Sequence, residues 1–105
     1  MDKKKDIDRL REFKKNLSKI VPIYKMIWFG SRVSGKSYRW SDFDLIIVSS
    51  KFRNEKFRYR PLGFRKYWNL NYPVDFLCYT PEEYEKLRKE ISIVKEAEKN
   101  GIEIK

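Results

Sequence analysis

The sequence predicts an α/β (α+β) sandwich: a small mixed β-sheet with helices packed over it. Three observations predict it. Three short apolar runs, 23–29, 43–48 and 72–79, have strand character. Stretches with helical spacing, 2–20 and 81–100, flank them. The whole chain is 105 residues, enough for one small domain, 1–105, and no second.

Each element has its own local reason. In 2–20, Ile7, Leu10, Phe13, Leu17 and Ile20 recur at three- and four-residue spacing, with Lys and Arg between them. That is an amphipathic helix, and Pro22 ends it. "IYKMIWF", 23–29, is apolar and rich in β-branched and aromatic residues, hence a strand. Residues 30–41 are turn-rich, with room for one helical turn. "FDLIIV", 43–48, is nearly continuous in apolar character, which predicts a central strand covered on both faces. Residues 49–60 read as irregular or mobile, and Pro61 opens a short helix over 61–69. "YPVDFLCY", 72–79, is the third strand. Thr80-Pro81-Glu82-Glu83 then spells a capping box, with Thr80 as N-cap and Glu83 as its return partner. The helix it starts runs to about Asn100, where Gly101 stops it. "IEIK" adds a short fourth strand.

Composition narrows the chemistry. There is no histidine, which removes Ser-His and Cys-His catalysis and most zinc sites. The one cysteine, Cys78, lies in an apolar run and reads as a small core residue. No apolar run approaches the ~20 residues of a membrane span, and the basic N-terminus lacks a signal peptide's apolar stretch. An intracellular, cytoplasmic protein is expected. The formal net charge is +10, a field that attracts nucleotides, nucleic acid or an acidic protein.

Two signatures overlap at 30–44. Gly30-Ser-Arg-Val-Ser-Gly35-Lys36-Ser37 satisfies the P-loop pattern G-x-x-x-x-G-K-[ST]. A P-loop must open a helix long enough to cross back to a parallel strand, about ten residues. The next strand begins five residues after Ser37, so the helix has no room. Asp42 and Asp44 also stand at the start of their strand, where a Walker-B acid stands at the end.

The aspartates support a different site. Asp42, Asp44 and Asp75 border or sit within strands, where Asp is disfavoured. Alternation projects Asp42 and Asp44 to one side and Phe43 to the other. Two carboxylates so close repel unless protonated or bridged by a cation. An all-oxygen ligand set favours Mg²⁺ or Mn²⁺. Asp75, in "PVDFL", is costly to bury alone, and becomes a third ligand if its strand neighbours 43–48. Such a trio builds a two-metal site, in which one cation holds a triphosphate and the other activates an attacking hydroxyl. Gly30 and Ser31 would let backbone and hydroxyl approach the phosphates. Arg32 and Lys36 are further candidates for phosphate contact, with solvated surface charge as the plain alternative. Residues 51–66 carry seven basic residues against one acid, interleaved with Phe52, Phe57 and Tyr59. They read as a solvated face, or as a surface for nucleic acid, triphosphate or an acidic partner.

The stretch "WFGSRVSGKSYRWSDFDLIIV" resembles the polymerase-β-like nucleotidyltransferase superfamily in its smallest form, the minimal nucleotidyltransferase (MNT). The pattern is hydrophobic-Gly-Ser, a spacer of about ten residues, then Asp-x-Asp in an apolar strand. Here Gly30-Ser31 is followed by a ten-residue spacer, Arg32 to Ser41, and by Asp42-Phe43-Asp44. The third Asp matches Asp75, and the resemblance covers roughly 7–104. It implies the fold, Mg²⁺ dependence, and transfer of a nucleoside monophosphate from an NTP, with AMP from ATP the expected case. Asp42, Asp44 and Asp75 would be the catalytic metal ligands. Small members of this family act beside helical HEPN-type partners in toxin–antitoxin pairs, which makes such a partner an expectation here. The alternative from another class is a non-catalytic binding module on the same fold, an antitoxin or nucleic-acid adaptor.

Overall fold

The computed structural model describes residues 3–34 and 42–105, with the side chain of Ser34 set aside. Four strands, β1 (Lys25–Phe29), β2 (Phe43–Val48), β3 (Val74–Tyr79) and β4 (Ile102–Glu103), lie in the spatial order β3-β2-β1-β4. β1 runs antiparallel to both β2 and β4, and β2 runs parallel to β3, so the sheet is mixed as expected. β2 is central, and Leu45, Ile46, Ile47 and Val48 are all fully buried. Alternation explains this. Leu45 and Ile47 face one helical layer, and Ile46 and Val48 face the other.

The first layer is α1 (Lys3–Leu17), whose Leu10, Phe13 and Leu17 pack on Trp28, Phe43, Leu45 and Ile47. α1 is shorter than the sequence predicts. It ends at Leu17, the Ser18 hydroxyl donates to the Lys14 carbonyl at 2.6 Å, and Val21 rather than Ile20 enters the core. Ile20 is 48% exposed. A four-residue α2 (Ser31–Ser34) follows β1 directly.

The second layer was expected as one helix over 81–100 and is two. α3 (Pro81–Leu87) opens with the predicted capping box: Glu83 N–H donates to the Thr80 hydroxyl at 3.1 Å, and Thr80 N–H to the Glu83 carboxylate at 2.8 Å. α4 (Ile93–Asn100) has its own N-cap, Ser92. The Ser92 oxygen accepts from Lys95 N–H at 3.1 Å and its hydroxyl donates to the Leu87 carbonyl at 2.6 Å. One hydroxyl therefore closes the first helix and starts the second. Gly101 stops α4, but with φ −87 rather than in a left-handed turn. A Cβ there would meet the Trp28 carbonyl oxygen at 2.8 Å, so glycine is needed for close approach to β1.

The β2–β3 crossover, 49–73, contains no α-helix. It contains 3-10 turns at Ser50–Phe52, Phe57–Tyr59 and Phe64–Tyr67. The short helix expected over 61–69 is interrupted at Gly63, which has φ +88. Phe52 and Phe64 are buried in the α1-side core.

Candidate active site

Parallel pairing of β2 with β3 sets Asp44 directly beside Asp75. Antiparallel pairing sets Asp44 opposite Phe29, one residue before the turn at Gly30. Asp42 precedes β2 on the same chain. By alternation all three aspartates belong to the sheet face that carries Ile46, Val48, Leu77 and Tyr79, the α3–α4 side. The condition set by the sequence, that the strand of Asp75 adjoin 43–48, is met. Asp75 itself is exposed, so no burial cost attaches to it.

The Asp44 carboxyl is pushed up from 3.8 to about 6. Burial is the main cause, followed by the negative charge of Asp75 and then that of Asp42. Charge repulsion from both neighbours places the three carboxylates in one electrostatic neighbourhood. They are not drawn together into a cage: among the described residues no three Asp, Glu or Cys side chains stand close enough to enclose a cation as they are.

The turn at Gly30 is shaped by the same carboxylate. Gly30 has φ +92, a conformation side chains disfavour, and a Cβ there would lie 2.3 Å from Asp44 Oδ2. Glycine is thus required twice, for the backbone and for the acid seated against it. Gly30 accepts from Val33 N–H at 3.1 Å, and Ser31 stands exposed at the start of α2. Lys36, like the Gly35 and Ser37 of the P-loop pattern, lies outside the described residues. The strands flanking that pattern are antiparallel neighbours, where a P-loop needs a crossover to a parallel strand.

Arg32 lies where the sequence did not place it. It is 2% exposed. Its guanidinium sits 4.4 Å from the centre of the Phe43 ring and 4.3 Å from that of Tyr72, and 3.8 Å from the Asp6 carboxylate. A cation held between two rings contacts the core rather than a triphosphate in solvent. It joins the strand of Asp42 and Asp44, the loop leading to Asp75 and the first helix. Asp6, Phe43 and Tyr72 thus hold Arg32 in place beside the Gly30 turn, and sequence reasoning passed over them. The available signal was Asp6, an acid on the apolar stripe of Leu10, Phe13 and Leu17.

A cleft of about 190 Å³ adjoins the turn, lined by Phe29, Gly30, Glu96, Ala97, Asn100 and Gly101. A larger cavity, about 480 Å³, lies between α1 and 67–71, and its lining includes none of the three aspartates. The smaller cleft's lining also includes none of the three aspartates, and only its Gly30 belongs to the turn seated against Asp44. No helix among the described residues is long and apolar enough to cross a membrane.

The chain is similar to known proteins. A family model described as a nucleotidyltransferase domain matches residues 10–103. The probable protein adenylyltransferase MntA of Haemophilus influenzae is 36% identical over 86 residues, which is 79% of this chain and 75% of that protein. A crystal structure from Sulfolobus solfataricus, described as a candidate nucleotidyltransferase, superposes with a TM-score of 0.64 over 92% of this chain and 77% of its own. At 17% identity that likeness concerns the fold alone.

Proposed function

This chain belongs to the nucleotidyltransferase domain family and is a nucleotidyltransferase, and from that premise we propose that it moves AMP from ATP to a hydroxyl of a protein acceptor. The observation that carries the reading is the register of Asp44 beside Asp75, in front of the Gly30 turn. The similarity to a protein adenylyltransferase supports AMP as the group and protein as the acceptor. A helical partner of the HEPN type, in a toxin–antitoxin pair, is the acceptor that the family resemblance favours. ATP is a cytoplasmic substrate, and the reading sets the work there.

The site residues fit a divalent cation. Their donors are all carboxylate oxygens, which suit Mg²⁺ or Mn²⁺. Burial first, and then repulsion from Asp75 and Asp42, raises the Asp44 carboxyl, and a cation between the carboxylates would relieve the repulsive part. Asp42, Asp44 and Asp75 would hold it. When bound, the cation neutralises triphosphate charge and lowers the pKa of a hydroxyl. In the transfer the acceptor oxygen forms a bond to the α-phosphorus, and the bond from that phosphorus to the bridging oxygen breaks. Pyrophosphate carries away the electron pair. Asp75, exposed beside Asp44, is the group positioned to take the acceptor's proton. Gly30 and the Ser31 hydroxyl face the phosphates from the turn, and Lys36 remains part of this proposal as a phosphate contact.

The test is incubation with ATP labelled at the α-phosphate, Mg²⁺ and an extract of the source cell, separated into protein and RNA. Label on protein is expected, falling ~100-fold or more in Asp44→Asn and Asp75→Asn. Label on RNA alone would replace the acceptor class. Label on protein that persists in Asp44→Asn would remove the carboxylates from the chemistry.

A further inference from the structure

The 49–73 crossover is more firmly built than a tether requires. Arg60 is 7% exposed, and its guanidinium donates to the carbonyls of Glu55 and Cys78, both at 3.0 Å. It also donates to both oxygens of Glu83, at 2.6 and 3.2 Å. Glu83 is the same residue that caps α3. Together with buried Phe52 and Phe64, Arg60 fixes the segment to the end of β3 and to α3.

With these groups inside, others are left outside. Phe57 is 45% exposed, Tyr59 46% and Leu62 72%. Lys56, Arg58, Arg65 and Lys66 stand exposed beside them, and none has a carboxylate partner among the described residues. The result is an apolar patch within a ring of cations. It is anchored at Cys78 and Tyr79, the far end of β3 from Asp75, roughly 13 Å along the strand.

Aromatic residues among cations also suit single-stranded nucleic acid, where bases stack on open rings. Here the rings are engaged by the chain itself. Phe57 packs against Tyr79 with ring centres 5.4 Å apart and lies 5.7 Å from the Arg60 guanidinium. Arg58 sits 4.8 Å over Tyr59, and Lys66 sits 5.4 Å over Tyr67. Leu62, the most exposed of the three apolar residues, offers no π-face. Apolar anchors inside a charged rim are the anatomy of a protein interface. Unpaired cations in that rim select a partner of opposite charge.

We propose that the face built from Lys56, Phe57, Arg58, Tyr59, Leu62 and Arg65 docks a protein whose own surface is apolar and ringed by carboxylates. Resting on the function proposed above, that protein is the acceptor, held at one end of the sheet while its hydroxyl is presented at the other.

The probe is a labelled ~20-residue amphipathic peptide, Leu and Phe on one helical face and Glu on the other, with a Lys-for-Glu twin and an oligouridine RNA of similar length as comparators. Binding to the full chain is read by anisotropy at about 0.15 M salt. The acidic peptide is expected to bind, and to weaken ~10-fold or more in Phe57→Ser/Leu62→Ser and in Lys56→Glu/Arg58→Glu. The Lys twin is expected not to bind. All four substituted residues are exposed, so the variants should fold, as circular dichroism checks. Acidic-peptide binding that is absent, or equal in the variants, overturns the proposal. Tighter binding of oligouridine, lost in the same variants, makes this a nucleic-acid face and overturns it too. Asp44→Asn separates the two readings. It should bind peptide like the parent while losing nucleotide transfer, and transfer that persists in it would sink only the chemistry.

Discussion

Asp44 is the residue where structure and chemistry pull against each other. Burial, then Asp75, then Asp42 raise its carboxyl from 3.8 to about 6. Between those values the folded protein keeps a proton that the unfolded chain gives up. Stability therefore falls as pH rises through that window and stays lowered above it. The full shift would correspond to about 3 kcal/mol, but the carboxyl is only partly buried, and solvent screening reduces this to about 1–2 kcal/mol. Asp44→Asn is expected to be the more stable protein at about pH 7.5 by that amount, and to match the parent below about pH 3.5. Urea unfolding at both pH values checks this; equal stabilities at the higher pH would show that the carboxylate is not under strain. Arg32 marks the limit of reading single residues. A cation next to Gly-Ser reads as a phosphate ligand, because nothing local tells that Phe43 and Tyr72 will close on it from two other elements.

At the scale of elements, what was legible depended on how local its cause was. The three longer strands were legible because each is a mainly apolar run with a single charged residue, Lys25, Asp44 or Asp75, and the α3 cap because Thr80, Pro81 and Glu83 act within four residues. Pairing of Asp44 with Asp75 was legible only as a condition, since register is a tertiary property. The break between α3 and α4 was missed, because 88–92 contains neither Gly nor Pro. Its signals were Ser92, a good N-cap, and Ile91, which falls out of phase and is 101% exposed. The irregular 49–60 segment was read correctly as lacking regular elements. Its anchoring was not, because that comes from Arg60 reaching across to Cys78 and Glu83. Ser92→Ala tests the break. It removes the α4 cap and leaves the Leu87 carbonyl without its hydroxyl donor. A loss of about 1 kcal/mol is expected, with a fall of roughly 4–8 °C in Tm. A Tm unchanged by the substitution would mean that the sheet, not the serine, sets the break.

For the whole molecule, charge is the property that no single element owns. The chain has 25 Lys and Arg against 15 Asp and Glu, a formal charge of +10. Many of the acids are already engaged: Glu82 with Arg53, Glu83 with Arg60, and Glu98 with Arg88. Surface pairs of this kind contribute little each, about 0–1 kcal/mol, and salt weakens them. The excess cations repel one another over longer distances, and salt weakens that as well. Raising NaCl from about 0.02 to about 0.3 M shortens the screening length from roughly 20 to roughly 6 Å. That removes mainly the long-range term, so Tm is expected to rise. The same field draws a triphosphate toward the chain, so association of a fluorescent ATP analogue, followed by stopped flow with Mg²⁺ present, is expected to slow over the same range. The two responses have opposite signs and one cause. If Tm falls as salt is added, the ion pairs outweigh the excess charge in stability. If association is unchanged, the basic surface does not steer nucleotide, and capture rests on the Gly30 turn and the three aspartates alone.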